Sequence, residues 1–344
     1  MTTARYDRAL DPRLVKHLKP GGDLDFLLHG VPFPTGEPYA VDVHLRERNK
    51  IMYYRGTTRI LVVKLSPHGD RTPTFTVTAD KFYSRKKSCA DAFHEMENLG
   101  KMSPINAKES FRRYLEAACP VAPEGHYRNK AEGYWQNRIC HRFGRCFRPD
   151  DEWLVFDREC VIGFKNKEEK DYALAPIVSR YREACKKVQE AGNDKWRLTN
   201  QSKGLGDELD MLAVGRDGQL LAIELKYRTN ASGIYWGPAQ AGVYGDSFSQ
   251  LLDALGPSVI DLVKQKVSLG LLPEHALDRL PADGFKRVRA ILAVADANPK
   301  SGCWPKMTEV MKHVGQVDVA TIATKATGRV ELPGIHFLHM TIDD

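Results

Sequence analysis

The residues of this chain with the most chemical potential are Asp210, Glu224 and Lys226, within GDELDMLAVGRDGQLLAIELKYR at 206–228. Two apolar runs, 207–214 and 219–227, flank Arg216-Asp217-Gly218, which reads as a three-residue hairpin loop with Gly218 at the position needing positive φ. If Gly215 faces Gln219, Asp210 falls directly opposite Glu224, with Cβ atoms roughly 5 Å apart. Strand alternation then projects Glu224 and Lys226 together, while Leu221, Ile223, Leu225 and Tyr227 turn to the other face. Two adjacent carboxylates repel, and a divalent cation that takes hard oxygen ligands relieves the repulsion. Mg²⁺ or Mn²⁺ is the expected ion. The neighbouring lysine is placed to orient, or help deprotonate, a water that attacks a phosphodiester, so the chemistry is hydrolysis without a covalent intermediate.

The elements around this hairpin must position it. Residues 177–191, IVSRYREACKKVQEA, read as a helix with Ile177, Tyr181, Ala184 and Val188 on one face. After the hairpin, Gly237-Pro238 is expected to open a helix running to about Leu255, with Gln240 and Tyr244 four apart on one face. A strand is expected at Trp196–Thr199 and another at Val288–Ala295. Further strands are expected at Val317–Thr324 and Val330–His339, with a turn at Gly328 and a helix at Met307–Val314.

Asp210, Glu224 and Lys226 resemble the D…ExK signature of the PD-(D/E)xK nuclease superfamily, and Gln240 with Tyr244 is similar to the QxxxY element of its RecB-like members. The likeness is a short constellation in the C-terminal half, not whole-chain similarity. It implies an α/β (α+β) class with a restriction-endonuclease-like αβββαβ core. It also implies that an acidic residue from the helix before the first strand completes the metal site. Glu183 is the candidate, although the helix wheel sets it away from the apolar face; Glu169 is the reserve, and Glu208 a supporting group. The QxxxY pair would contribute to the active-site or nucleic-acid-contacting surface. Restriction, defence, repair and recombination are the settings of such enzymes, and DNA is preferred to RNA on the resemblance alone.

Charge divides the chain unevenly. Residues 1–150 hold 26 Lys and Arg against 17 Asp and Glu, and residues 151–344 hold 25 against 27. A basic domain at 1–155 is therefore expected to help an acidic nuclease domain at 156–344 approach polyphosphate. The first reads as a meander of about four strands, at Tyr39–Leu45, Lys50–Arg55, Arg59–Leu65 and Thr74–Thr78, followed by a helix at Lys108–Cys119. Arg46, Arg48 and Arg59, interleaved with Tyr53 and Tyr54, suit backbone charge and base stacking, and equally suit a solvated sheet face. A short strand at Trp153–Phe156 fits either domain.

Seven cysteines and no apolar leader argue for a reducing, cytoplasmic setting, and no run approaches a membrane span. Cys140, His141, Cys146 and Cys160, with Cys119 and His126 nearby, include metal-binding residue types. The spacing lacks paired CxxC units, so buried or free thiols are the expected state. A homodimer would supply two active sites for cutting a duplex. The alternative to a nuclease is an inactive nucleic-acid-binding or partner-binding module on the same fold. Hydrolysis of a small phosphorylated substrate finds no supporting phosphate loop, because KGLGDE precedes a strand.

Overall fold

The computed structural model describes residues 3–31, 40–69, 71–79, 87–97, 104–121, 131–192, 205, 208–324 and 330–342. The chain divides into two units that are discontinuous in sequence. One comprises Asp7–Pro149 and Ile260–Leu277; the other comprises Met1–Tyr6, Asp150–Val259 and Asp278–Asp344. The boundary expected between 155 and 156 falls inside a strand, so a single linear cut does not separate them.

The first unit begins with helices α1 (Pro12–Leu18) and α2 (Phe26–His29). Its four-stranded sheet is a meander of β1 (Asp42–Arg46), β2 (Lys50–Arg55), β3 (Thr58–His68) and β4 (Arg71–Thr78), in that spatial order. Every pairing is antiparallel, as the alternation and turns predict. Gly56 and Gly69 take φ of +59° and +60° at two of the turns. Helices α3 (Lys87–Glu97), α4 (Pro104–Ala118) and α5 (Glu132–Cys140) follow, the second ending at the expected Cys119-Pro120.

Of the residues read as a possible nucleic-acid face on this sheet, Tyr53, Tyr54 and Arg46 are not available at the surface. Tyr53 is fully buried, its hydroxyl donates to the Leu27 carbonyl at 2.7 Å, and its ring lies edge-on to Phe111. Tyr54 and Arg46 are buried too, and Arg46 Nη1 donates to the Leu45 carbonyl. Arg48 and Arg59 remain exposed. Tyr53 belongs to the core because α2 and α4 pack against it, a fact that strand periodicity does not contain.

The second unit has a mixed six-stranded sheet. Its elements run β5 (Trp153–Cys160), α6 (Lys167–Ala191), β6 (Leu209–Gly215), β7 (Leu220–Tyr227), α7 (Ala231–Gln250), α8 (Leu252–Ser268, whose later residues belong to the first unit), β8 (Val288–Ala295), α9 (Cys303–Met311), β9 (Asp318–Ala323) and β10 (Phe337–Thr341). The order across the sheet is β10-β9-β8-β7-β6-β5. Strands β7 to β10 pair in parallel, and β6 is antiparallel to both neighbours. The fold class is thus α/β. The strand beside β6 is β5, which precedes α6; the strand expected at Trp196–Thr199 and the turn at Gly328 lie outside the described residues.

One sheet face is covered by α6, α7 and α9. Their residues Ile177, Tyr181, Val188, Ile234, Trp236 and Trp304 share a core with Leu292 and Val294 of β8. Helix α7 starts seven residues earlier than expected, because the Asn230 side chain caps it by accepting the Gly233 N–H at 2.9 Å. Pro238 is therefore inside the helix and does not open it. The helix stops at Gln250, with α8 continuing from Leu252. No helix among the described residues is long and apolar enough to cross a membrane.

Candidate active site

The hairpin has the geometry its turn requires. Gly218 adopts φ +72°, Gly218 N–H donates to Gly215 O at 3.1 Å, and Gly215 N–H donates to Gln219 O at 3.0 Å. The loop sets the pairing Val214↔Leu220, Ala213↔Leu221, Leu212↔Ala222 and Met211↔Ile223, so the next position along aligns Asp210 with Glu224. Across the other edge of β7, Glu224 lies beside Leu292 and Lys226 beside Val294. Both therefore project from the helix-covered face, which explains how two charged side chains come to be only 5% and 7% exposed.

Three charged groups meet there. Lys226 Nζ donates to Glu224 Oε1 at 2.6 Å and lies 3.8 Å from Asp210 Oδ2. Asp210 Oδ2 also accepts the Leu225 N–H at 2.7 Å, a bond from one strand of the hairpin to the other. Burial is the main reason that the Asp210 carboxyl titrates well above the ordinary aspartate range. The negative charge of Glu224 pushes it the same way, Lys226 opposes both, and Glu159 adds a smaller upward push. The donors are carboxylate oxygens held close by one rigid turn. That chemistry fits a hard divalent cation such as Mg²⁺ or Mn²⁺.

Glu159 is the contributor that the sequence reading missed. It lies on β5 between Arg158, which pairs with Met211, and Cys160, which pairs with Leu209; that places it abreast of Asp210. Its φ is +48° and its side chain is 18% exposed, with Arg158 Nη2 at 3.5 Å. Three carboxylates thus lie in a row across β5, β6 and β7. The only sequence signal for Glu159 is its strand, and that strand's partner is decided by tertiary pairing.

Tyr244 reaches the hairpin through backbone. Its hydroxyl accepts the Glu208 N–H at 3.1 Å and donates to the Glu208 carbonyl, gripping the chain two residues before Asp210. Gln240, one turn earlier, has its Oε1 buried with no hydrogen-bond partner among the described residues. Comparison with protein-family models, curated proteins and solved structures finds no match.

Other candidates stand elsewhere. Glu183 is exposed on α6, with Lys187 Nζ 4.0 Å away, and faces away from Ile177, Tyr181, Ala184 and Val188, the buried side of that helix. The structure does not bring it to the carboxylates. Glu169 is committed at the start of α6: Thr3 donates to it from both N–H and hydroxyl, and these bonds hold its pKa below the usual glutamate value. Glu208 is exposed and contributes its backbone. A cavity of about 380 Å³ is lined by Arg180, Tyr181, Asp246 and His313 among others, without the three charged hairpin residues.

Proposed function

We propose that the protein is a Mg²⁺- or Mn²⁺-dependent nuclease of the PD-(D/E)xK kind, with DNA as its expected substrate. The observation that carries this reading is the enclosed triad: Asp210 and Glu224 side by side on one hairpin, with Lys226 within 3.8 Å of both. A mixed sheet with an antiparallel pair followed by a parallel strand, and a helix bearing Gln240 and Tyr244 packed beside it, agrees with a restriction-endonuclease-like core.

Asp210 and Glu224 would hold the ion, which when bound offsets charge on the phosphoryl oxygens and lowers the pKa of an attacking water. Lys226, anchored by Glu224, directs its ammonium at the same patch, where it aligns water and a non-bridging phosphate oxygen. Water adds to phosphorus and gives up a proton to solvent as the bond to the leaving deoxyribose oxygen breaks, and that oxygen takes up a proton. Tyr244 keeps the β6 entry in place by holding Glu208. The exposed Arg48 and Arg59 offer phosphate contacts in a half of the chain that carries a basic excess.

One observation favours the alternative of a binding module without chemistry: Lys226 and Glu224 already form a buried ion pair with each other at 2.6 Å. A cleavage assay separates the two. Plasmid, linear duplex, single-stranded DNA and RNA are incubated with Mg²⁺, Mn²⁺ or EDTA, using the parent and Asp210→Asn. Metal-dependent cleavage confined to the parent supports the nuclease reading. Binding without cleavage under every condition supports the module.

A further inference from the structure

The unit built on the β-meander holds a cluster of ligand-type side chains for which the proposed nuclease chemistry has no use. Asp42 and His44 are two apart on β1 and so share a face, with His44 Nε2 2.7 Å from Asp42 Oδ2. Cys140 is the last residue of α5. That helix is tied to the entry of β1 by Asn137 Nδ2, which donates to the Ala40 carbonyl at 3.4 Å. One ligand atom from each of Asp42, His44 and Cys140 lies within 4.8 Å of the others. His44 and Cys140 are buried, and the Asp42 side chain is 18% exposed. His141 follows directly, close enough for its imidazole to feel the Asp42 charge, and Cys146 Sγ lies 3.6 Å from its Nε2.

We propose that Asp42, His44 and Cys140 bind a zinc ion that ties β1 to the end of α5. The ligand set selects the metal: a thiolate and an imidazole beside one carboxylate suit Zn²⁺ and disfavour Mg²⁺ or Ca²⁺. Charge agrees, because one thiolate and one carboxylate neutralise a divalent cation, the condition under which such a group is tolerated inside a protein. With metal–ligand bonds of about 2.0–2.3 Å, tetrahedral ligand atoms stand roughly 3.3–3.8 Å apart. Ligand atoms that all lie within 4.8 Å of one another are at most about an ångström wider than that spacing, and the 2.7 Å Asp42–His44 pair opens by about as much or less to reach it. The fourth position falls to His141 or to water.

This site shares no residue with the carboxylate–lysine triad, so it stands or falls separately. The full chain, stripped of metal with a chelator, is titrated with Co²⁺ as a spectroscopic substitute for Zn²⁺. One equivalent should produce a thiolate-to-cobalt charge-transfer band that Zn²⁺ then abolishes. The band should persist in Asp210→Asn and Cys146→Ser and vanish in Cys140→Ser. X-ray absorption at the zinc edge of the unmodified protein should show one sulfur among nitrogen and oxygen ligands, a readout that does not depend on a variant folding. A parent without the band, a band that survives Cys140→Ser, a band lost in folded Cys146→Ser, or a zinc shell without sulfur would each overturn the proposal. The cluster would then be a buried Asp–His hydrogen bond beside an ordinary thiol.

Discussion

Asp210 is a carboxyl that the fold makes uncomfortable. Burial and the neighbouring Glu224 raise its pKa, and Lys226 only partly offsets them. The native state therefore holds a proton that the unfolded chain has released, over the window from the ordinary aspartate value of 3.8 up to the raised native value. Within that window the metal-free protein loses stability as pH rises. Asp210→Asn removes this titration while keeping an oxygen to accept the Leu225 N–H. In EDTA at neutral pH the variant should melt a few degrees above the parent, and the advantage should vanish near pH 3. Added Mg²⁺ should stabilise only the parent. A melting temperature for the variant below that of the parent in EDTA at neutral pH would contradict burial and Glu224 as the cause of the raised pKa.

Lys226 separates charge from ligation at the same scale. An ammonium does not ligate a cation and competes with it for the carboxylates, so Lys226→Met should retain or strengthen Mn²⁺ binding. Turnover should fall by roughly 10²–10⁴-fold. Calorimetric titration with Mn²⁺, run beside single-turnover cleavage, reads both quantities. Loss of Mn²⁺ binding from a folded Lys226→Met protein would refute the role.

At the scale of elements, α7 sets the precision of the site. Its glycines let it approach the sheet: a Cβ on Gly245 would stand 2.7 Å from Ala290 Cβ, and one on Gly237 would stand 2.5 Å from Leu292 Cδ1. Gly245→Ala gains about 1 kcal/mol of helix propensity. It also forces a methyl against a central strand whose backbone cannot withdraw, an overpacking penalty of roughly 1–3 kcal/mol. The second effect wins, and chemical denaturation should show a lower midpoint for Gly245→Ala. Tyr244→Phe tests the residue next to Gly245 in the same helix. Losing the hydroxyl removes both bonds to Glu208, so stability should fall by about 1–2 kcal/mol. Cleavage should fall more steeply than stability does, because β6 carries Asp210. Equal cleavage by Tyr244→Phe and parent would leave Tyr244 as a packing residue only.

The whole molecule pairs a basic first half with a slightly acidic second half. If the first half binds phosphates, Arg48→Gln with Arg59→Gln should weaken DNA binding. Each phosphate left without its arginine should flatten the slope of log K against log salt by roughly 0.7–0.9. Fluorescence anisotropy at several salt concentrations measures this, and an unchanged slope would reassign the basic excess to another purpose. Arg46 is unsuitable for the test, because it is buried and its replacement would report on folding.

What the sequence determined by itself is the hairpin and its charged face. Gly218 closes one turn, the turn fixes the register, and a two-residue period carries that register to Asp210, Glu224 and Lys226; every step is local. The same locality made the four-strand meander and the strand Val288–Ala295 readable in advance. Tertiary structure decided what depends on partners distant in sequence. It buried Tyr53, Tyr54 and Arg46, set Glu183 on an outer face, and brought Glu159 abreast of Asp210 through the pairing of β5 with β6. It also brought Cys140 to Asp42 and His44 across nearly a hundred residues of chain. Side-chain period tells which residues share a face, but burial and charge proximity depend on what packs against that face. That choice is made by long-range packing, which no local pattern encodes.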